Sequence, residues 1–212
     1  MTDALTQSLP TGPRTPIVVL ASGAGSLMSA LLDVADGDDS PYRVAAVVVD
    51  RDCHAAEHAA ARGIEVVTVR LGDYPDRGEW DRALTEYVAG FEPDYVVTAG
   101  FMKILGAKFL SRFTARIINS HPALLPAFPG ARGVADALAY GAKVTGTTVH
   151  LVDAGVDTGP ILAQAPVIIS PDDTEATLHE RIKAVERVLL TDVVAAIAAR
   201  GVVTDGRKAH IP

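Results

Sequence analysis

The strongest constraint on the fold is an alternation of short apolar runs with helical stretches, which begins at Ile17. Continuous apolar runs of about four to eight residues are typical of strands that are buried on both faces. The predicted strands are residues 17–20, 44–49, 65–69, 95–98 and 116–119, and the predicted helices are residues 26–34, 55–62 and 81–89. Strands that alternate with helices form right-handed crossover units. The sequence therefore predicts an α/β fold, with a Rossmann-like, mainly parallel sheet and helices on both faces.

The last third of the chain has a different pattern. Residues 145–152 and 160–169 have strand character and are separated by a polar loop, which predicts an antiparallel extension of the sheet. Residues 175–200 predict a long amphipathic helix, and residues 202–208 predict a terminal hairpin. We expect residues 1–212 to form a single domain, in which residues 1–16, polar and containing three prolines, are a disordered leader.

Charge and cysteine content limit the cellular roles that fit this chain. With 19 Lys and Arg against 26 Asp and Glu, the net charge of −7 argues against general nucleic-acid binding, because such binding needs a basic face. The single cysteine, Cys53, cannot form an internal disulfide. No apolar run near the N-terminus predicts a signal peptide or a membrane span. We therefore expect a cytoplasmic protein that binds neither nucleic acid nor a membrane.

Glycines between the first predicted strand and the first predicted helix indicate a phosphate site. Residues 22–26 read SGAGS; glycines let the backbone approach a ligand, and N–H groups at a helix N-terminus attract anions. Met28 occupies the position of the third glycine of the dinucleotide fingerprint, so one phosphomonoester fits better than a dinucleotide. A plain tight turn is the alternative. Asp50, where a ribose-binding acid would lie, keeps an NAD-dependent oxidoreductase open.

Asn119 and His121 end the fifth predicted strand and precede a loop made rigid by three prolines. Two residues apart on an extended strand, their side chains point to the same side. The carboxyl end of a central strand is where ligands bind in open α/β sheets. An amide donor beside an imidazole can stabilise an oxyanion and move a proton. The alternative is that both side chains satisfy backbone groups of the loop.

Two further patterns could carry chemistry. Asp157, in the loop at residues 153–160, would favour a charged His121 if the sheet brings the two together, although spacing alone favours a solvated turn residue. His54, Glu57 and His58 match the inverted zinc-protease pattern, but no third ligand or supporting context accompanies them. We expect no metal.

Four segments resemble the folate-dependent formyltransferase family. They read SGAGS at residues 22–26, AGFMKIL at residues 99–105, NSHPALLPAFPG at residues 119–130 and DAGVDTGPILAQ at residues 153–164. The resemblance extends from about residue 17 to residue 200. It implies a one-carbon group transferase that moves a formyl group from 10-formyltetrahydrofolate, its co-substrate, to the amine of glycinamide ribonucleotide in de novo purine biosynthesis.

The resemblance also implies roles for individual residues. It implies catalytic roles for Asn119, His121 and Asp157, and contacts with the substrate phosphate for Gly25, Ser26, Leu27, Lys183 and Glu186. It implies folate contacts for Arg77, Met102, Lys103, Ile104, Leu105, Asp153, Ala154, Gly155 and Val156. The chain departs from the family pattern at Ala24 and Leu27, where Asn is frequent, and at Lys103, where Arg is common. Lysine keeps the charge but lacks the bidentate fork of arginine.

Several alternatives remain open from the sequence. Formyltetrahydrofolate hydrolase shares much of such a site and uses water in place of the amine, but typically has an N-terminal regulatory domain. The initiator-tRNA formyltransferase normally adds a C-terminal RNA-binding domain. We expect neither extra domain here. An NAD-dependent oxidoreductase and a non-catalytic nucleotide-binding module are more distant alternatives. A homodimer is possible, since the Ala-rich residues 55–61 could pack closely.

Overall fold

A computed structural model describes residues 13–212 of the chain. Its strands are β1 Thr15–Ala21, β2 Tyr42–Val49, β3 Val66–Thr68, β4 Tyr95–Thr98, β5 Ile117–His121, β6 Val144–Leu151, β7 Ile161–Ile168, β8 Val203–Asp205 and β9 Lys208–His210. Its helices are α1 Ser26–Ala35, α2 His54–Ala61, α3 Arg77–Gly90, α4 Ala107–Arg112, α5 Gly133–Tyr140 and α6 Glu175–Arg200, with one 3₁₀ turn at Leu71–Asp73. None of the helices in this range is long and apolar enough to cross a bilayer.

The strands form one sheet in the order β3-β2-β1-β4-β5-β6-β7-β9-β8. From β3 to β5 all neighbours are parallel. The chain moves outward from β1 to β3 and then crosses back to place β4 on the other side of β1, so the strand order reverses between β1 and β4. In open α/β sheets, ligands bind outside the carboxyl ends of the strands at such a reversal. β6 and β7 extend the sheet in antiparallel pairs.

Two apolar clusters cover the two faces of this sheet. Along β1, Val19 belongs to the cluster that includes α1 and α6, and Val18 belongs to the cluster that includes α3 and α4. Both residues are fully buried. Burial of alternate residues on opposite faces explains why this strand is a continuous apolar run rather than an alternation of polar and apolar residues.

The structure confirms the predicted α/β fold, the antiparallel extension and the terminal hairpin. α3 begins at Arg77, earlier than predicted, because the Asp76 side chain caps it by accepting a hydrogen bond from the backbone N–H of Glu79 at 2.9 Å. The sequence does not predict α4 or α5. These helices have six and eight residues, too few to show a clear helical period.

The predicted disordered leader, residues 1–16, lies only partly within the described residues. Residues 1–12 are outside them. β1 begins at Thr15, so the prediction of disorder is wrong for the end of this segment. The Arg14 guanidinium, just before β1, donates hydrogen bonds to the backbone carbonyls of Ala35 and Gly37, at 3.0 and 2.9 Å.

The start of α4 depends on a buried carboxylate from α3. Asp81, which is 5% exposed, accepts backbone hydrogen bonds from Gly106 at 2.8 Å and from Lys108 at 2.9 Å.

Asp81→Ala leaves these N–H groups unpaired, so we expect the free energy of unfolding to fall by about 1–3 kcal/mol. Chemical denaturation measures the loss. Asp192→Ala, an exposed position on α6, is the control and should change stability by less than about 0.5 kcal/mol; equal losses in both variants would contradict the capping role.

Candidate active site

Asn119 and His121 lie on β5 and share one face of the sheet. β5 pairs with the antiparallel strand β6, so that Asn119 lies opposite His150 and His121 lies opposite Thr148. Ser120, between them, points to the other face, where its hydroxyl donates to Glu186 of α6 at 2.5 Å. The structure therefore confirms that the two predicted side chains point to the same side, and it adds a second histidine from β6.

Asp157 reaches this pair from the loop that follows β6. Its Oδ2 lies 3.3 Å from Nδ1 of His121 and accepts a hydrogen bond from the backbone N–H of Gly130 at 2.7 Å. Its Oδ1 lies 3.6 Å from Nε2 of His150. The His150 ring, the Gly130 N–H and the His121 ring together outweigh the effect of burial and lower the pKa of Asp157. Asp157 is thus an ionised carboxylate at neutral pH, held between two imidazoles.

The loop before Asp157 is a tight turn. Asp153 accepts hydrogen bonds from the backbone N–H of Gly155 at 3.0 Å and from the Thr158 hydroxyl at 2.6 Å. A Cβ at Gly155 would lie 2.0 Å from the Thr158 hydroxyl oxygen, so only glycine fits. Asp157 itself has a left-handed backbone, with φ of 53°. The predicted folate contacts Asp153 and Gly155 therefore shape the turn that positions Asp157.

The Asn119 amide is oriented by its neighbours. Its oxygen accepts a hydrogen bond from the Thr98 hydroxyl at 2.6 Å, so its nitrogen must be the atom that lies 3.0 Å from Nε2 of His150. Nδ1 of His150 lies 2.8 Å from the carbonyl oxygen of Leu151 and so carries a hydrogen, because a carbonyl can only accept. Nε2 of His150 can accept one hydrogen of the Asn119 amide. The second amide hydrogen is then available to a substrate.

Both ring nitrogens of His121 face acceptors. Nε2 lies 2.8 Å from the carbonyl oxygen of Phe128, so it must be a donor. Nδ1 faces the Asp157 carboxylate. The ring is 4% exposed and packs against Gly133, where a Cβ would come within 3.1 Å of Nε2. A hydrogen on either ring nitrogen would therefore meet an acceptor.

The glycine turn has the form of an anion site. Gly25 precedes α1 with φ of 79°, and a Cβ there would lie 2.8 Å from Cα of Ala55. No side chain caps α1, and its first turn contains no acidic residue. The backbone N–H groups of Ser26 and Leu27 are therefore not claimed by a capping side chain and can face a phosphate. The apolar side chain of Leu27 does not block this, because the contact is made by the backbone.

The predicted folate segment 102–105 is connected to the glycine turn. The backbone N–H of Met102 donates to the Ser22 hydroxyl oxygen at 2.8 Å. Lys103 lies 3.6 Å from the buried carboxylate of Asp50, which also pairs with Arg51 at 2.8 Å. Asp50 is thus occupied by cations and is a poor candidate for a ribose contact. Arg77 donates to the carbonyl oxygen of Ile104.

Apolar side chains are exposed around this segment. Met102 is 72% exposed and Ile104 is 70% exposed, and Val156, in the turn before Asp157, is also exposed. Leu105, in contrast, is buried in the cluster beneath α3 and α4. Exposed apolar side chains beside a polar cluster are typical of a surface that receives a ligand.

Lys183 and Glu186 lie on α6, and Glu186 contacts Ser120, the residue between Asn119 and His121. Lys183 pairs with Glu180 at 2.9 Å. Glu186 is 4% exposed, and burial raises its pKa. Among residues 13–212, no hydrogen bond or ion pair connects Arg77 or Lys183 to Asp157.

The zinc-like pattern does not assemble a ligand set in the structure. His54 pairs with Glu57 at 3.0 Å on the exposed surface of α2, and His58 lies 3.4 Å from the Ser29 hydroxyl. Within the described part of the chain, no group of three His, Cys, Asp or Glu side chains could hold a metal ion.

Sequence reasoning missed His150, Thr98 and Gly130. His150 lies within a buried strand, where a lone histidine is more often a core residue than a functional one. The sequence could have indicated His150 only through the pairing of residues 145–152 with the strand that ends at His121. The position of His150 opposite Asn119 depends on the register of that pair, and the register depends on the conformation of the loop that joins the two strands.

Comparisons with known proteins agree on one family. A family model described as formyl transferase matches residues 15–194. Phosphoribosylglycinamide formyltransferase of Mycobacterium tuberculosis is 63% identical over 199 residues, which are 93% of this chain and 92% of that protein. Glycinamide ribonucleotide transformylase 1 from Symbiobacterium toebii has a structure similar to this one, with a TM-score of 0.91, 39% identity and coverage of 93% of this chain and 94% of that chain.

A formyltetrahydrofolate deformylase from Pseudomonas syringae also has a similar structure. Its TM-score is 0.88, but the identity is 24%, and the match covers 94% of this chain and 66% of the deformylase. At this identity the likeness shows the fold alone. The fold therefore does not distinguish transfer to an amine from transfer to water, whereas the sequence relationships favour transfer to an amine.

The buried carboxyl of Glu186 gives a pH-dependent stability. Because its pKa in the folded protein lies above the ordinary value of 4.5, the unfolded chain releases this proton first, and ionisation lowers stability as the pH rises above 4.5. Glu186→Gln keeps the shape and cannot ionise. We expect the variant to be more stable than the parent at pH 7, with a difference that disappears below about pH 4.5.

Urea denaturation at several pH values measures this difference. Glu86→Gln, an exposed position on α3, is the matched control and should show no such trend. A stability gain of Glu186→Gln that is the same at pH 4 and at pH 7 would contradict the effect of ionisation.

Proposed function

This chain belongs to the formyl transferase family, and we propose that Asn119, His121 and Asp157 carry out its reaction. The chain transfers a formyl group from 10-formyltetrahydrofolate to the amine of glycinamide ribonucleotide, in de novo purine biosynthesis. One observation carries the assignment of residues: the Asp157 carboxylate lies between His121 and His150, on the face of β5 to which the Asn119 amide also points. An NAD-dependent oxidoreductase or a non-catalytic nucleotide-binding module would not need this cluster, whereas a formyltetrahydrofolate hydrolase would use it with water as the acceptor.

The reaction needs a group that stabilises negative charge on the formyl oxygen. The substrate amine forms a bond to the formyl carbon, and the carbonyl becomes a tetrahedral oxyanion. The free N–H of the Asn119 amide is the first donor for this oxygen. Thr98 and His150 hold the amide in place before the substrate arrives, so little reorganisation accompanies the reaction. Donors that are fixed in advance are typically among the largest contributors to such catalysis.

His121 is the second donor and the proton carrier. In the protein without substrate, its Nε2–H is donated to the carbonyl oxygen of Phe128. The formyl oxygen would take the place of that carbonyl as acceptor. When the bond between carbon and N10 of the folate breaks, a proton passes from the attacking amine to N10, through His121 or a water molecule. No covalent intermediate with the protein is required.

Asp157 positions His121 and balances its charge. The lowered pKa of Asp157 keeps it ionised at neutral pH, so its negative charge, 3.3 Å from the His121 ring, can balance positive charge that develops there during proton transfer. The Gly130 N–H fixes the carboxylate and so fixes the direction of the ring. Asp157 thus acts as a positioning residue for His121 and as its counter-ion.

The two substrates bind in adjacent places. We expect the turn at Gly25, Ser26 and Leu27 to receive the phosphate of glycinamide ribonucleotide, and Lys183 and Glu186 of α6 to contact the same substrate. The folate is received by Arg77 and by segments 102–105 and 153–156, where exposed Met102, Ile104 and Val156 offer an apolar surface to its rings. Holding both substrates in one geometry supplies much of the rate acceleration in a reaction of this type.

The remaining expectations rest on composition. The net charge of −7 favours small-molecule substrates over nucleic acid as partners. We expect the protein to act in the cytoplasm and to need no metal. A homodimer stays a prediction, which sedimentation of the purified chain can test.

Loss of the His121 ring should abolish most of the catalysis. We expect His121→Ala to lower kcat by about 10²–10⁴-fold, the usual contribution of a general acid–base. The measurement is the initial rate of tetrahydrofolate formation at saturating substrates. His54→Ala, an exposed histidine on α2, is the control and should keep the parental rate. A His121→Ala variant with near-normal turnover would exclude His121 from the mechanism.

Asp157→Asn tests the charge rather than the shape. The amide oxygen can still accept from Gly130, so we expect a folded protein with a lower kcat. The pH–rate profile should also change, because the group that stabilises an imidazolium is gone. Circular dichroism checks the fold, and kcat is measured from pH 5 to pH 9. A profile identical to that of the parent would count against the proposed role of Asp157.

A further inference from the structure

A row of three polar side chains crosses β5, β6 and β7. His121 lies opposite Thr148 in the pair of β5 and β6, and Thr148 lies opposite Gln164 in the pair of β6 and β7. Side chains of directly opposite residues in neighbouring strands share one face of the sheet. Gln164 therefore lies on the same face as His121. It is also the last residue of the segment 153–164 that resembles formyltransferases, and the proposed mechanism gives it no role.

Gln164 and Thr148 form a hydrogen-bond network with the loop that follows β5. The Thr148 hydroxyl donates to the carbonyl oxygen of Ala123 at 2.7 Å and accepts from the backbone N–H of Leu125 at 3.0 Å. The Gln164 amide nitrogen donates to the carbonyl oxygen of Leu125 at 2.8 Å and to the Thr148 hydroxyl oxygen at 3.0 Å. Because a carbonyl can only accept, the atom of the Gln164 amide that faces Leu125 must be the nitrogen.

This network has no hydrogen left to offer to a substrate. The one hydroxyl hydrogen of Thr148 and both hydrogens of the Gln164 amide have partners, and the Thr148 oxygen accepts twice. Thr148 and Ala123 are fully buried, and Leu125 is 4% exposed. The network can therefore influence a reaction only through the part of the chain that it holds in place.

The part that it holds contributes directly to the candidate site. Residues 123–125 are followed by Phe128, whose carbonyl oxygen lies 2.8 Å from Nε2 of His121. They are also followed by Gly130, whose N–H donates to Asp157 at 2.7 Å. The loop thus contacts both the proposed proton carrier and its counter-ion, within five residues of the Gln164 network.

The backbone of this loop has few other means of keeping its position. Pro126 and Pro129 have no N–H group to donate. Phe128 has a left-handed backbone, with φ of 53°, a conformation that a residue other than glycine keeps only when surrounding contacts hold it. The hydrogen bonds from Thr148 and Gln164 therefore stabilise the position of the Phe128 carbonyl.

We propose that Gln164 is a positioning residue for His121, which it aligns through the loop at residues 122–130. The inference rests on the proposed function. Gln164 anchors this loop to β6 and β7, so that backbone groups of the loop hold His121 and Asp157 in the reacting geometry before the substrates bind. It takes no part in proton transfer, so its loss should affect kcat rather than KM.

Removal of the Gln164 amide tests this role. We expect Gln164→Leu to lower kcat by about tenfold, since a misplacement of about 1 Å costs up to about 10²-fold. Both KM values should stay near those of the parent, because the network offers no group to either substrate. Gln164 is exposed, so the variant should fold. Ile168→Ala, at an exposed position on the same strand, is the control and should keep the parental kcat.

A double-mutant cycle tests whether Gln164 acts through His121. In a His121→Ala background, Gln164→Leu should cause almost no further loss of rate, because the ring that Gln164 aligns is gone. A general loss of structure would lower the rate by the same factor in both backgrounds. Single turnovers with protein in excess measure these rates. Gln164→Glu keeps the shape, but its carboxylate cannot donate to the Leu125 carbonyl, so at neutral pH it should repeat the loss.

The outcomes separate the positioning role from the activity. A parental kcat in both Gln164 variants, a raised KM with parental kcat, or equal losses with and without His121 would overturn the role of Gln164 and leave the proposed function intact. Near-normal turnover of His121→Ala alone would refute the proposed mechanism, and the role of Gln164 with it.

Discussion

The arrangement of the candidate site depends on the Asp157 carboxylate. It joins three parts of the chain: the loop that contains Gly130, the β5 residue His121 and the β6 residue His150. Loss of the carboxylate would leave the Gly130 N–H without its partner, and an unpaired buried donor costs about 1–3 kcal/mol. The left-handed backbone of Asp157, unusual for a residue other than glycine, is held by these contacts and by the turn at Asp153.

The topology explains why the proposed phosphate turn and the proposed catalytic strand share an edge of the sheet. β1 and β5 flank β4, so the turn after β1, segment 99–105 after β4 and the end of β5 are neighbours. Ser22 and Met102 make this proximity a direct hydrogen bond. Adjacent loops of one rigid sheet can therefore hold two substrates. The antiparallel strand β6 then returns His150 and Asp157 to the same edge.

The sequence predicts those features that have a local cause. Buried strands such as β1 are visible as continuous apolar runs. The shared side of Asn119 and His121 follows from the alternation of side chains along a strand. Asp157 could not be predicted from spacing alone; only the resemblance to formyltransferases identified it. His150 required the register of β5 against β6. The cap that Asp81 provides for α4, and the contact of Arg77 with Ile104, join residues more than twenty positions apart and leave no pattern in the sequence.

The central claim is that this site transfers a formyl group to an amine. The most direct test mixes the purified protein with 10-formyltetrahydrofolate and follows the absorbance of the tetrahydrofolate product, with and without glycinamide ribonucleotide. If the site works as described, product appears only when the amine substrate is present. Product that forms at the same rate without the amine would show that water is the acceptor, and would contradict the account.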